Sequence, residues 1–159
     1  MPRLLLLNNA FLFLCCSIFL GTGVSLVFFH LPLEPQLNVD NYYVVLIEPV
    51  ENATVFFTYV TVLMLIAALI MLGSEWLSGL KWPPIIVLLS VITATVMAYT
   101  MLFPINEELE AGITDNVRLA TLLAQWADFN RLRVSLWLLQ WLAMMYYFYA
   151  LARRARADR

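Results

Sequence analysis

Four stretches of the chain are apolar almost without interruption, and charged or turn-forming residues collect between them. They run from about Ala10 to Phe29, Val55 to Leu72, Pro84 to Phe103 and Val134 to Leu151, each near the roughly 20 residues that a helix needs to cross a bilayer. The first is longer than the apolar core of a signal peptide and lacks a small-residue cleavage site, so it reads as a retained transmembrane helix. Pro83 and Pro84 fall at the start of the third, where a missing backbone donor is harmless.

The two connections on the far side from the termini differ. Leu31 to Thr54 is predicted as a loop, with Glu34, Asp40, Glu48 and Glu51 and no basic residue. Pro104 to Arg133 is predicted as largely helical. Thr114 and Asp115 offer capping oxygens, Leu119, Leu122, Leu123 and Trp126 recur at helical spacing, and no Pro or Gly follows Asn116. The simplest reading is one long helix that extends out of the membrane and continues through the fourth span. The fold class is therefore all-α, a single-domain four-transmembrane-helix bundle.

Composition sharpens this. Hydrophobic residues make up 63% of the 159 and charged residues 13%, against roughly 25% charged in ordinary soluble domains. Disorder would need low hydrophobicity and high net charge, and the net charge is -2. Nucleic acid is not an expected partner, because no basic patch stands outside the C-terminal tail. Cys15 and Cys16 are adjacent and point about 100° apart on a helix, so they staple nothing.

Six of the nine basic residues, Arg3, Lys81, Arg153, Arg154, Arg156 and Arg159, fall on the side of the termini. By the positive-inside rule both termini are cytoplasmic. Asn52-Ala53-Thr54 matches a glycosylation acceptor, but nothing else in the sequence points to a secretory pathway, and a bacterial inner membrane is the expected location. Membrane lipids are the expected surroundings, and the C-terminal arginines suit anionic headgroups or a simple topology anchor.

Lipid provides no hydrophobic drive between helices, so small residues and interhelical hydrogen bonds must hold them. Ser17, Gly21 and Ser25 form one ridge of small residues and Ser90, Ala94 and Ala98 another, which predicts close approach of the first and third helices. Trp76, Trp82, Trp137, Tyr146, Tyr147 and Tyr149 fall near span ends, as interfacial aromatics do.

The middles of the spans hold no Asp, Glu, Lys or Arg, which argues against a pump or a proton-coupled transporter. Chemistry is expected at the outer mouth instead. His30 ends the first span, Pro104-Ile105-Asn106 ends the third, and Trp126, Asn130 and Arg133 precede the fourth. Offsets of four and seven put the last three within about 60° of one another, and Trp137 continues their stripe toward the bundle interior.

An inward Arg and Asn need partners. For Arg133 the plain alternative is a salt bridge to a loop carboxylate or a lipid phosphate; for Asn106 and Asn130 it is capping and interhelical bonding; for Trp126 it is packing. The functional reading is a shared pocket. Arg133, Asn106 and Asn130 hold an anionic or phenolic oxygen, Trp126 and Trp137 wall an aromatic ring, and His30 is a general base or, more plainly, an interfacial residue. Metal has a weak case: His30 and Glu34 are four apart and Glu48 and Glu51 three apart, but Pro32 and Pro35 interrupt the first pair and no dense ligand cluster exists.

Pro104-Ile105-Asn106, followed by Trp126-x-x-x-Asn130-x-x-Arg133, resembles the anthrone-oxygenase-like family of small four-helix membrane proteins. The stretch from Gly21 to Pro35, a small-residue helix ending in a proline-containing turn, is also similar. The resemblance implies oxidation of a polycyclic phenol by dioxygen without a dedicated metal or flavin cofactor, with Asn106, Asn130 and Arg133 stabilising the substrate anion and Trp126 walling its ring. Expected partners on this reading are a hydrophobic aromatic small molecule or a quinone. The competing expectation is a non-catalytic accessory subunit packed into a larger membrane complex.

Overall fold

A computed structural model describes residues 3–157, apart from the side chain of Glu34; Arg159 of the charge count also lies outside the described residues. The described chain is all helix and turn. Its α-helical segments are α1 (Arg3–Ser25), α2 (Glu48–Glu75), α3 (Trp82–Met97), α4 (Phe103–Glu110) and α5 (Asn116–Ala157). Three π-helical turns, Leu26–His30, Tyr43–Ile47 and Ala98–Leu102, extend α1, precede α2 and join α3 to α4. The result is four continuous helices long and apolar enough to cross a membrane.

These helices exceed the apolar runs. The second starts at Tyr43 rather than near Val55, so much of the expected Leu31 to Thr54 loop is helix, and the third runs through Pro104 to Glu110. Hydrophobic runs mark what lipid must cover, whereas helices continue for as long as their backbone bonds are satisfied. Asp115 caps α5 as expected, its Oδ1 accepting from Val117 N–H at 3.0 Å. At 42 residues α5 is about 63 Å long, twice the hydrocarbon thickness, so it projects well beyond the membrane as predicted.

The helices run up and down, each packed on the next, with α5 closing the square against both α1 and α3. The predicted seam between the first and third helices is therefore wrong. They stand on a diagonal, with α2 and α5 between them. Gly21 faces open space, and it is Gly23 that lets α5 come close: a Cβ there would lie 2.7 Å from Trp137 Cε3 and 2.8 Å from Val134 Cγ2.

Two apolar cores are stacked along the bundle. The one nearer the termini gathers Leu12, Cys16, Phe19, Met64, Met71 and Val87 with Trp137 and Met144 of α5. At the far end Leu31, Tyr42, Ile47, Ile105 and Leu109 pack on Leu119, Leu122 and Leu123. Tyr42 ties this cap together, its hydroxyl donating to Leu109 O at 3.0 Å and accepting from Ile113 N–H at 2.8 Å. Arg118 forks onto Glu108 at the surface, both bonds 2.7 Å.

The interfacial aromatics divide. Trp76, Trp82, Tyr146 and Tyr149 are exposed, as a belt requires, but Trp137 and Tyr147 are buried. Tyr147 Oη donates to Glu75 Oε1 and accepts from Asn9 Nδ2, both at 2.8 Å, while Ser78 Oγ donates to Glu75 Oε2. One carboxylate thus joins α1, α2 and α5 at the end carrying the termini. Polar atoms tied together without water are retained because leaving any one unpaired is costly.

The packing fixes an expected contrast between two glycines. Gly23→Ala forces Trp137 and Val134 to move and lowers stability by about 1–3 kcal/mol, whereas Gly21→Leu leaves it unchanged; thermal unfolding of the detergent-solubilised protein reads both. A Gly23→Ala protein as stable as the parent would remove the close approach from the fold's determinants.

Candidate functional site

Between the two cores lies a cavity of about 420 Å³ with walls from all four long helices. That is a size suited to a small organic molecule. All six residues singled out from the sequence, His30, Asn106, Trp126, Asn130, Arg133 and Trp137, line it. The rest of the wall is mostly apolar, including Phe19, Phe57, Met64 and Val91, with the hydroxyls of Thr54, Thr58 and Thr61 along α2.

Local sequence explains the convergence. Trp126, Asn130, Arg133, Trp137 and Gln140 advance along α5 by alternating steps of four and three, which keeps them on one face. Asn106 arrives from α4 because the helix does not stop at Pro104. Proline lacks an N–H and its ring collides with the carbonyl four residues back. The π turn Ala98–Leu102 contains that carbonyl, on Thr100, and Phe103 N–H reaches five residues back to Ala98 O. The same device precedes Pro49, where Glu48 N–H bonds Tyr43 O, and Pro32, where Leu31 N–H bonds Leu26 O. All three wide turns contribute cavity wall, through Leu26 and His30, Val45 and Leu46, and Ala98, Tyr99 and Leu102. Such π insertions recur at functional sites.

The polar groups form a chain with an unfinished end. Trp126 Nε1 donates to Asn106 Oδ1 at 3.1 Å, joining α5 to α4. Asn130, only 3% exposed, donates from Nδ2 to Trp126 O at 2.9 Å and accepts from Arg133 Nη1 at 3.2 Å. The guanidinium lies 5.0 Å from the centre of the Trp137 ring, a cation–π contact. Its Nε is buried and meets no acceptor. Among the described residues the ion pairs are Arg118 with Glu108 and Arg131 with Asp128, so no carboxylate neutralises Arg133.

Asn130 Oδ1 faces the guanidinium and orients it, and the Trp126 indole is fixed by its N–H while its ring lines the cavity. Trp137, Phe19 and Phe57 form a run of aromatic wall, with centroid distances of 5.2 Å from Trp137 to Phe19 and 4.8 Å from Phe19 to Phe57. His30 is exposed at the cavity edge, its Nδ1 3.2 Å from Ser25 O. A carbonyl only accepts, so Nδ1 carries the proton of that bond, and in the neutral ring Nε2 is the acceptor. His30 closes a π turn and Glu34 sits in the 3₁₀ turn Leu31–Gln36, so no continuous helix aligns them; contacts of the Glu34 side chain lie outside the described residues. Among the described residues no group of three His, Cys, Asp or Glu side chains gathers.

Gln140 was missed. It continues the stripe seven residues beyond Arg133, lines the cavity, is 1% exposed, and its Oε1 has no hydrogen-bond partner. The stripe itself was the available signal, had it been extended into the apolar run.

A half-buried cation with an enclosed, unpaired Nε and no carboxylate among the described residues is a cost to the fold rather than a support. Arg133→Met therefore holds or raises the thermal midpoint of the ligand-free protein, while Trp126→Phe, which deletes a cross-helix bond, lowers stability by about 1 kcal/mol. Strong destabilisation by Arg133→Met would make Arg133 a structural residue.

The chain matches no protein-family model, no curated protein and no solved structure.

Proposed function

We propose that this protein binds a flat, largely apolar molecule with an ionisable oxygen in the cavity between its cores, and oxidises such a polycyclic phenol or quinol with dioxygen. The observation that carries the reading is Arg133, a half-buried guanidinium that lines the cavity with no carboxylate partner among the described residues and an enclosed Nε without an acceptor. A phenolate oxygen is the acceptor it lacks. The resemblance of Pro104-x-Asn106 and Trp126-x-x-x-Asn130-x-x-Arg133 to anthrone-oxygenase-like proteins adds the reaction.

In that reaction the His30 Nε2 takes the phenol proton, Arg133 stabilises the anion, and Trp137 and Phe19 hold the ring. The electron-rich anion then reduces dioxygen. A ring methylene becomes a carbonyl with one oxygen atom, and the other leaves as water, so CH₂ + O₂ gives C=O + H₂O. The described side chains need supply only binding, one proton acceptor and a fixed positive charge. The distribution of basic residues supports cytoplasmic termini and a cavity toward the outer face of a bacterial inner membrane.

Native mass spectrometry of the untagged protein, released gently from its membrane, is expected to give a monomer or homo-oligomer carrying a polycyclic phenol or quinone. Oxygen uptake with such a phenol is expected to fall at least a hundredfold in Arg133→Met with assembly intact. Recovery only inside a stoichiometric hetero-complex with lipid alone bound would replace this reading with that of an accessory subunit. A reporter fused to the C-terminus is expected to be active on the cytoplasmic side.

A further inference from the structure

The cavity has a second unfinished polar group, and its position constrains the shape of the occupant. Arg133 and Gln140 stand two turns apart on one face of α5, about 10 Å along the axis. Trp137 lies between them. Arg133 Nε is a donor without an acceptor, and Gln140 Oε1 is an acceptor without a donor. Each is buried, and an unpaired buried polar group is costly enough to be rare in folded proteins. Their demands are opposite in kind.

We propose that the molecule in this cavity is held at two points: an anionic or acceptor oxygen at Arg133 and, about 10 Å away, a hydrogen-bond donor at the Gln140 amide oxygen, with its flat body against Trp137. The proposal rests on the ligand-binding reading above and narrows it to elongated molecules with a hydroxyl or N–H at the deep end. The wall between the two points agrees with this. Phe19, Phe57, Met64 and the Trp137 ring make most of the surface there apolar, with the Thr61 hydroxyl between Phe57 and Met64 on α2.

Three rod-like phenols test it without altering the protein. 4,4′-Dihydroxybiphenyl carries hydroxyls at both ends, 4-hydroxy-4′-methoxybiphenyl has an acceptor in place of the second donor, and 4-phenylphenol has neither. Binding is read by tryptophan fluorescence quenching of the full chain in lipid nanodiscs, against empty discs. The diphenol is expected to bind about tenfold tighter than the other two, the size of one buried hydrogen bond. Gln140→Leu and Gln140→Met erase that preference, and Arg133→Met weakens all three.

Equal binding of the diphenol and its methyl ether by the unaltered chain would overturn the proposal, as would a preference that survives both Gln140 variants. In either case, weaker binding in Arg133→Met would leave the broader ligand-binding reading standing. Binding of none of the three above the empty-disc level would instead overturn that reading and this proposal with it.

Discussion

In a medium without water every backbone donor and acceptor has to find its partner inside the chain, and proline removes one donor wherever it stands. Three of this protein's helices carry a proline at the same end of the bundle, Pro32, Pro49 and Pro104. At each, the preceding residue reaches five residues back instead of four, and a wide turn forms. The helices therefore continue past their prolines rather than breaking. All three turns lend side chains to the wall of the cavity between the two cores. In the terminal half Pro83 and Pro84 stand in the first turn of α3, where no intrahelical donor is missed, and the core packs around Leu12, Met71 and Met144.

Into that cavity the fold places a charge that no described carboxylate neutralises. Arg133 is oriented by Asn130 and rests on Trp137, and neither contact gives its enclosed Nε an acceptor. The compensation lies elsewhere, in the cap bound by Tyr42 and in the Asn9, Tyr147 and Glu75 tie at the opposite end. Stability and the unpaired groups are thus spatially separate, which is the usual arrangement when a site needs groups that the fold itself would rather not hold.

The bundle, the long α5 and its stripe Trp126, Asn130, Arg133 and Trp137 were legible because each depends on local periodicity, while His30 and Asn106 were legible as polar residues at the ends of apolar runs. What depends on neighbours was not readable. The ridges through Gly21 and Ala94 are real, but a stripe of small residues on one helix does not say which helix fills it, and α1 and α3 turned out to be diagonal. Tyr147 resembled a belt residue because its partners, Asn9 and Glu75, are distant in sequence. The apolar run ends at Phe103, but the helix continues through Pro104 because a π turn shifts the carbonyl away from the proline ring. Gln140 was overlooked inside a run of apolar residues, where a single amide is easily passed over.

The steps of four and three along α5 do not end at Gln140. Met144 and Tyr147 continue them, so that Trp126, Asn130, Arg133, Trp137, Gln140, Met144 and Tyr147 form one heptad seam. A 3.5-residue repeat on a 3.6-residue helix gives a left-handed wind, as in a coiled coil. The cavity and the polar tie at the terminal end are thereby geared to one another. A single residue inserted between Arg133 and Tyr147 would turn one of them about 100° away from the bundle interior. Evolution is free to change the side chains on the lipid-facing side of this helix, but not its count of residues.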